Sequence, residues 1–116
     1  MSAVCNLGIA LNRLGGNRKL LRELISFFRE DAPKLLKQIE DGLACGNARQ
    51  VQIAAHSLRG LAANFEALSC ASTMAQLEEH GRAGNLEAAS RLWPDAVTSV
   101  ENLSRALAIS FDQPRA

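Results

Sequence analysis

Apolar residues recur at spacings of three and four along almost the whole chain, and no segment sustains alternation every second residue. That is the period of helices, not strands. Leu7, Ala10, Leu11 and Leu14 mark a short first helix, ended by the pair Gly15 and Gly16. Asn17 is placed to cap a second. Pro33 interrupts this segment, and proline removes a helical hydrogen bond and crowds the preceding turn. Yet Leu21, Leu24, Phe28, Ala32, Leu35, Ile39 and Leu43 keep their spacing straight across it. One kinked helix from about 17 to 45 is therefore predicted. Gly46 and Asn47 close this helix and cap a third that runs to about residue 66. A fourth extends from Ser69 to about Arg82, ending near Gly81 and Gly84. Asn85 caps the last, where Leu86, Ala89, Trp93, Ala96, Val100, Leu103 and Leu107 continue the stripe past Pro94. The tail, residues 110–116, is expected to fray.

Four long amphipathic helices with short connections bury their stripes most simply on one another. The predicted fold is all-α: an antiparallel four-helix bundle with a short extra N-terminal helix. Sparse β-branched residues and the absence of Tyr agree with it. At 116 residues the chain suits one domain, assigned to 1–116.

Composition narrows the function. With 13 basic and 12 acidic residues the net charge is +1, which supplies no field for attracting nucleic acid. No apolar run is long enough to insert into a membrane. The opening "MSAVCNLGIA" lacks the basic start and apolar stretch of a secretory signal, so a cytoplasmic location is expected. Cys5, Cys45 and Cys70 are odd in number and far apart, without a CxxC pair. They read as reduced, mostly packing thiols rather than as a disulfide framework or metal site.

The chemistry concentrates in "AAHSLRGLAANFEA", residues 54–67. On a helical wheel Val51, Ala54, Leu58, Leu61, Ala62 and Phe65 share one side, and His56 lies nearly opposite. His56 should therefore face solvent, with Gln52, Arg59, Gly60 and Ala63 as its surface neighbourhood. A glycine inside a helix costs roughly 0.5–1 kcal/mol relative to alanine, and no turn requires one at 60. Close approach of another molecule would account for it. Arg59 offers a planar, permanently charged donor for phosphoryl oxygens, and a neutral imidazole offers a nucleophilic nitrogen. By itself the triplet is weak, because an exposed histidine with an arginine three residues on is more often plain solvated surface. His80 has no Cys or His at ligand spacing, and its neighbours Glu78, Glu79 and Arg82 read as a solvated face. No phosphate-cradling glycine loop or nucleotide fingerprint occurs, so a phosphoryl group would have to arrive on a donor.

"HSLRGLAANFEA" resembles the motif of the histidine phosphotransfer (HPt) family, a phosphorylatable His followed three residues later by Lys or Arg and then Gly. The similarity extends over about residues 7–107, through "LNRLGGNRKLLRELISFFREDAPKLLKQIEDGLACGN" and "LEEHGRAGNLEAA". The resemblance implies His56 as phosphoacceptor, Arg59 as the cation beside the phosphoryl group and Gly60 as steric clearance. It also implies supporting roles for Glu78 and Arg82, 22 and 26 positions after the histidine. The implied activity is reversible relay between aspartates of response-regulator receiver domains, with no autonomous kinase activity. The implied chain is a monomer without cofactor or metal of its own, Mg²⁺ being held by the receiver, and a hybrid sensor histidine kinase is a further implied partner. Two departures stand out: Arg59 replaces the commoner Lys, and Glu66 occupies a position where the family usually has Gly. Glutamate favours helix continuation, so the third helix is expected to run on toward Leu68.

Two other classes compete. A histidine-kinase dimerisation domain also exposes a histidine on helices, but the proline that usually follows its histidine and a nucleotide-binding domain are both missing from the sequence. A helical interaction module without phosphotransfer would need only the amphipathic faces.

Overall fold

The computed structural model describes residues 4–112, with side-chain surroundings through residue 109. It is all-helical, with five helices and no strand among the described residues: α1 (Leu7–Arg13), α2 (Arg18–Cys45), α3 (Ala48–Ala63), α4 (Leu68–Arg82) and α5 (Leu86–Asp112). Four of the five start on an asparagine. The side-chain oxygens of Asn6, Asn17, Asn47 and Asn85 accept from the amides of Ile9, Leu20, Gln50 and Ala88 at 3.0–3.1 Å. Such a cap satisfies one of the orphan amides of a first turn and stabilises by about 1 kcal/mol. The Asn17, Asn47 and Asn85 caps match their predicted places, and Asn6 adds one that the apolar pattern does not signal. Helix α4 has no side-chain cap.

Pro33 and Pro94 both sit inside uninterrupted helices, α2 and α5. The burial of Leu21, Ile25, Phe28, Ala32 and Ile39 along one side of α2 holds that helix together across its proline. The last helix continues to Asp112, so the expected fraying of 110–116 does not begin at 110, and residues 113–116 lie outside the described residues.

The core lies where α3 meets α4 and α2, and where α5 closes over α4 and α2. Leu58, Met74, Leu77, Leu103 and Leu107 are fully buried there, and Phe28 meets Phe65 edge-on at 5.8 Å between ring centroids. Two glycines set helix spacing. A Cβ at Gly81 would lie 2.7 Å from the Gln52 amide nitrogen and 3.0 Å from the Ala48 carbonyl. Gly81 thus lies within α4, where it admits the backbone of α3, and the stop expected there is made by Gly84 at φ +73°. Gly42 does the same for the α2–α3 hairpin, its missing Cβ falling 3.0 Å from Asn47 O and Val51 Cγ2.

The end of α3 differs from expectation. The helix stops at Ala63 and Glu66 takes a left-handed conformation, φ +53°, where glycine would be the easy choice. The amides of Ala67 and Glu66 bond the carbonyls of Ala62 and Ala63, the paired bonds of a Schellman stop. Two contacts with the first helix region accompany this turn: the Asn6 amide donates to Phe65 O at 2.9 Å, and Arg13 pairs with Glu66. Burial of Phe65 and Ala67 on either side makes the chain turn there, and tertiary packing overrides the helix propensity of glutamate.

The thiols divide. Cys70 is buried beside the Ser99 hydroxyl at 3.5 Å, and Cys5 is half-buried; burial pushes both thiols up from their ordinary range. Cys45, exposed at the end of α2, is the one of the three that does not pack. It follows the buried stripe on the wrong side of the helix.

Candidate functional site

His56 sits mid-way along α3, opposite the buried stripe, with its side chain 62% exposed. Val51, Ala54, Leu58, Ala62 and Phe65 are buried as the wheel requires, whereas Leu61 is only half-buried and turns toward α2. Close packing of α3 on α4 brings Glu78 to the imidazole. Its Oε2 lies 2.9 Å from His56 Nδ1 and its Oε1 lies 3.3 Å from Arg59 Nε. The Glu78 side chain is 16% exposed, and Oε1 is buried with no hydrogen bond, so Arg59 compensates its charge through proximity alone. Arg59 Nη2 also lies 3.1 Å from His56 Nδ1.

These contacts select a tautomer. A bare Nδ1 would point its lone pair at a carboxylate oxygen 2.9 Å away, which is repulsive, whereas Nδ1–H donates to it. The guanidinium beside Nδ1 is then a neighbour rather than a donor to it. Nε2, at the opposite edge of the ring, keeps its lone pair.

Next to His56, α2 and α3 border an open groove of about 520 Å³, lined by Asp31, Lys34, Leu35 and Gln38 from α2 and by His56, Ser57, Gly60 and Leu61 from α3. A Cβ at Gly60 would meet nothing within 4 Å. The fold does not need this glycine, and any reason for it must come from outside the chain.

Of the residues singled out in sequence, the structure assembles His56, Arg59, Gly60 and Glu78. Arg82 does not join them: it pairs with Glu79 and has a largely exposed side chain. Gln52 is half-buried, its backbone lying where α3 passes Gly81, and it does not line the groove. Ala63, although exposed, ends α3 seven residues after His56, about 10 Å along the axis. It is no immediate neighbour of the ring. Asp31, Lys34 and Gln38 escaped the sequence reading. Their spacing of 31, 34 and 38 marks one helical face, but only the packing of α2 on α3 sets that face beside the histidine. No group of three or more His, Cys, Asp or Glu that could hold a metal ion occurs among the described residues. No helix among them is long and apolar enough to cross a membrane.

Comparison with known proteins agrees with this arrangement. No curated protein sequence matches the chain significantly. Among solved structures, the fold is similar to that of histidine-containing phosphotransfer protein B (HptB) from Pseudomonas aeruginosa PAO1, with a TM-score of 0.88, 20% sequence identity, and coverage of 99% of this chain and 100% of that one. The Hpt domain family profile matches residues 23–108, about three-quarters of the sequence, including α3 and α4 in full. On that match, the chain belongs to the Hpt domain family.

Proposed function

We propose that this chain relays phosphoryl groups between receiver-domain aspartates of a multistep phosphorelay, with His56 as the phosphoacceptor. The observation that carries the reading is the pose of His56: Nδ1 is tied to Glu78, and the exposed ring lines an open groove together with an unobstructed glycine. In-line transfer passes through a loose transition state that needs positioning and charge stabilisation more than covalent chemistry from the carrier. Arg59 supplies a cation from the histidine side, and Gly60 gives a receiver room to approach. Mg²⁺ belongs to the acidic site of the receiver. On this chain the carboxylate nearest His56 is already engaged by the ring and by Arg59, which argues against a metal site here.

The reading includes a single cytoplasmic domain, monomeric, built as an antiparallel four-helix bundle of α2–α5 with α1 as an extra N-terminal helix. Its partners are receiver domains and a hybrid sensor histidine kinase. Arg82, paired with Glu79 on the exposed face of α4, has no contact with this cluster in the free chain.

Incubation with a panel of phosphorylated receiver domains tests the proposal. Acid-labile label should appear on the wild-type chain, vanish in His56→Gln and persist in His80→Gln. Label retained by His56→Gln would refute it. Arg59→Ala should slow transfer by roughly tenfold to a hundredfold. That change also strips Glu78 Oε1 of its ion-pair partner, so a stability loss of about 1 kcal/mol should accompany it.

A further inference from the structure

We propose that Lys34 is a second catalytic cation: once His56 carries the phosphoryl group, the Lys34 ammonium holds the phosphoryl oxygens from the α2 wall of the groove. The proposal rests on His56 being the phosphoacceptor, and it adds a group from a helix outside the histidine motif.

A phosphoryl group brings a charge of about −1.5 to −2 into the groove. The other cations around it are already engaged. Arg59 of α3 has its Nε 3.3 Å from Glu78 Oε1, Arg82 of α4 pairs with Glu79, and Lys37, one turn along α2, lies 2.8 Å from Asp41. Lys34 lines the groove with His56 and Gly60, is exposed, and pairs with no carboxylate among the described residues.

The register of the α2–α3 hairpin sets Lys34 nearly level with His56. A Cβ at Gly42 would lie 3.0 Å from Val51 Cγ2 and 3.4 Å from Gln50 Cβ, which puts residue 42 of α2 opposite 50–51 of α3. Counting back along α2 and forward along α3, Lys34 stands opposite 58–59 and Asp31 opposite 61–62. At 1.5 Å per residue Lys34 is offset from His56 by about 3–4 Å along the axis, and Asp31 by about 8 Å. Helix axes pack about 8–10 Å apart, a gap that a flexible four-carbon stem on one helix can cross toward a group carried by the other. Asp31 is the opposing charge on this wall, and its field at His56 is cut by the roughly 8 Å screening length of physiological salt. The lysine therefore outweighs it.

During transfer the imidazole lone pair forms the nitrogen–phosphorus bond as the phosphorus–oxygen bond to the receiver aspartate breaks, and the electron pair of that bond leaves with the aspartate carboxylate. Lys34 donates hydrogen bonds to the equatorial oxygens and gives up no proton. The receiver takes its Mg²⁺ with it when it departs. Neutralising the phosphoryl charge then falls to the cations of the carrier, so Lys34 favours the loaded chain as well as the transition state.

Phosphoramidate, a small-molecule donor, loads the histidine without a receiver, and ³¹P NMR then follows the second ionisation of the phosphoryl group against pH. A nearby cation favours the dianion, so Lys34→Gln should raise the midpoint by about half a unit relative to wild type. Lys34→Arg should restore it and Lys34→Glu should raise it further, whereas Asp31→Asn should lower it by a smaller amount. An effect of that size corresponds to about a threefold shift of the phosphoryl equilibrium from this chain toward a receiver, and transfer from a receiver to Lys34→Gln should slow by roughly fivefold to tenfold. Equal midpoints for wild type and Lys34→Gln would overturn the proposal, as would failure of Lys34→Arg to restore the wild-type value or of phosphoramidate to load His56. Failure of the phosphorelay reading looks different, since receivers would then deliver no label to any variant while the midpoints of the phosphoramidate-loaded proteins still differed as described.

Discussion

Replacing Glu66 by glycine should stabilise the protein, even though it removes an ion pair. Glu66 is held at φ +53°, and the left-handed region costs a residue with a Cβ about 1–2 kcal/mol. Glycine relieves that cost but brings a more flexible unfolded chain, an opposing effect of about 0.5 kcal/mol. The pair with Arg13 opposes it too. With the arginine side chain 60% exposed, that contact falls in the surface range of about 0.2–1 kcal/mol. The net expectation for Glu66→Gly is a gain of about 0.5 kcal/mol, or roughly 2 °C in Tm for a domain of this size. In an Arg13→Ala background the ion pair is already gone, and the same substitution should gain about 1 kcal/mol. Urea denaturation of the four proteins in this cycle measures both numbers. Destabilisation by Glu66→Gly in both backgrounds would refute the strain argument, and equal gains would show that the Arg13 contact contributes nothing. Transfer from a receiver should be unchanged, because Glu66 lies past the end of α3, ten residues beyond His56.

Gly81→Ala should destabilise by about 1–3 kcal/mol, since its Cβ would meet the α3 backbone rather than a yielding side chain; a loss below about 0.5 kcal/mol in chemical denaturation would mean that α3 and α4 can separate freely. Gly60→Ala should do the opposite and stabilise by about 0.5–1 kcal/mol, there being open space around it, while Gly60→Leu should weaken receiver binding measured by calorimetry without lowering helix content. With a thiol reagent at mildly alkaline pH, Cys45 should react first: burial pushes the Cys5 and Cys70 thiols up, so both hold less thiolate at that pH, and peptide mapping that finds Cys70 modified ahead of Cys45 would contradict the packing.

Whatever depends on neighbours a few residues away is legible in the chain before it packs. The asparagine caps at 17, 47 and 85, the left-handed glycines at 16, 46 and 84, and the continuity of the helices through Pro33 and Pro94 follow from local hydrogen bonding and from apolar spacing. So does the exposure of His56, because a residue opposite a buried stripe has nowhere else to point. The resemblance drew attention to Glu78, but only the close passage of α3 over α4, permitted by Gly81, brings its carboxylate to both His56 and Arg59. The same passage leaves Arg82 to Glu79, although spacing along the chain makes the two residues look equivalent candidates. Glu66 shows the limit most directly: its own propensity favours more helix, yet the buried Phe65 and Ala67 on either side and the contacts of Asn6 and Arg13 hold it in a turn. Those partners lie more than fifty residues away in sequence, and a contact between such distant positions exists only once the helices have packed.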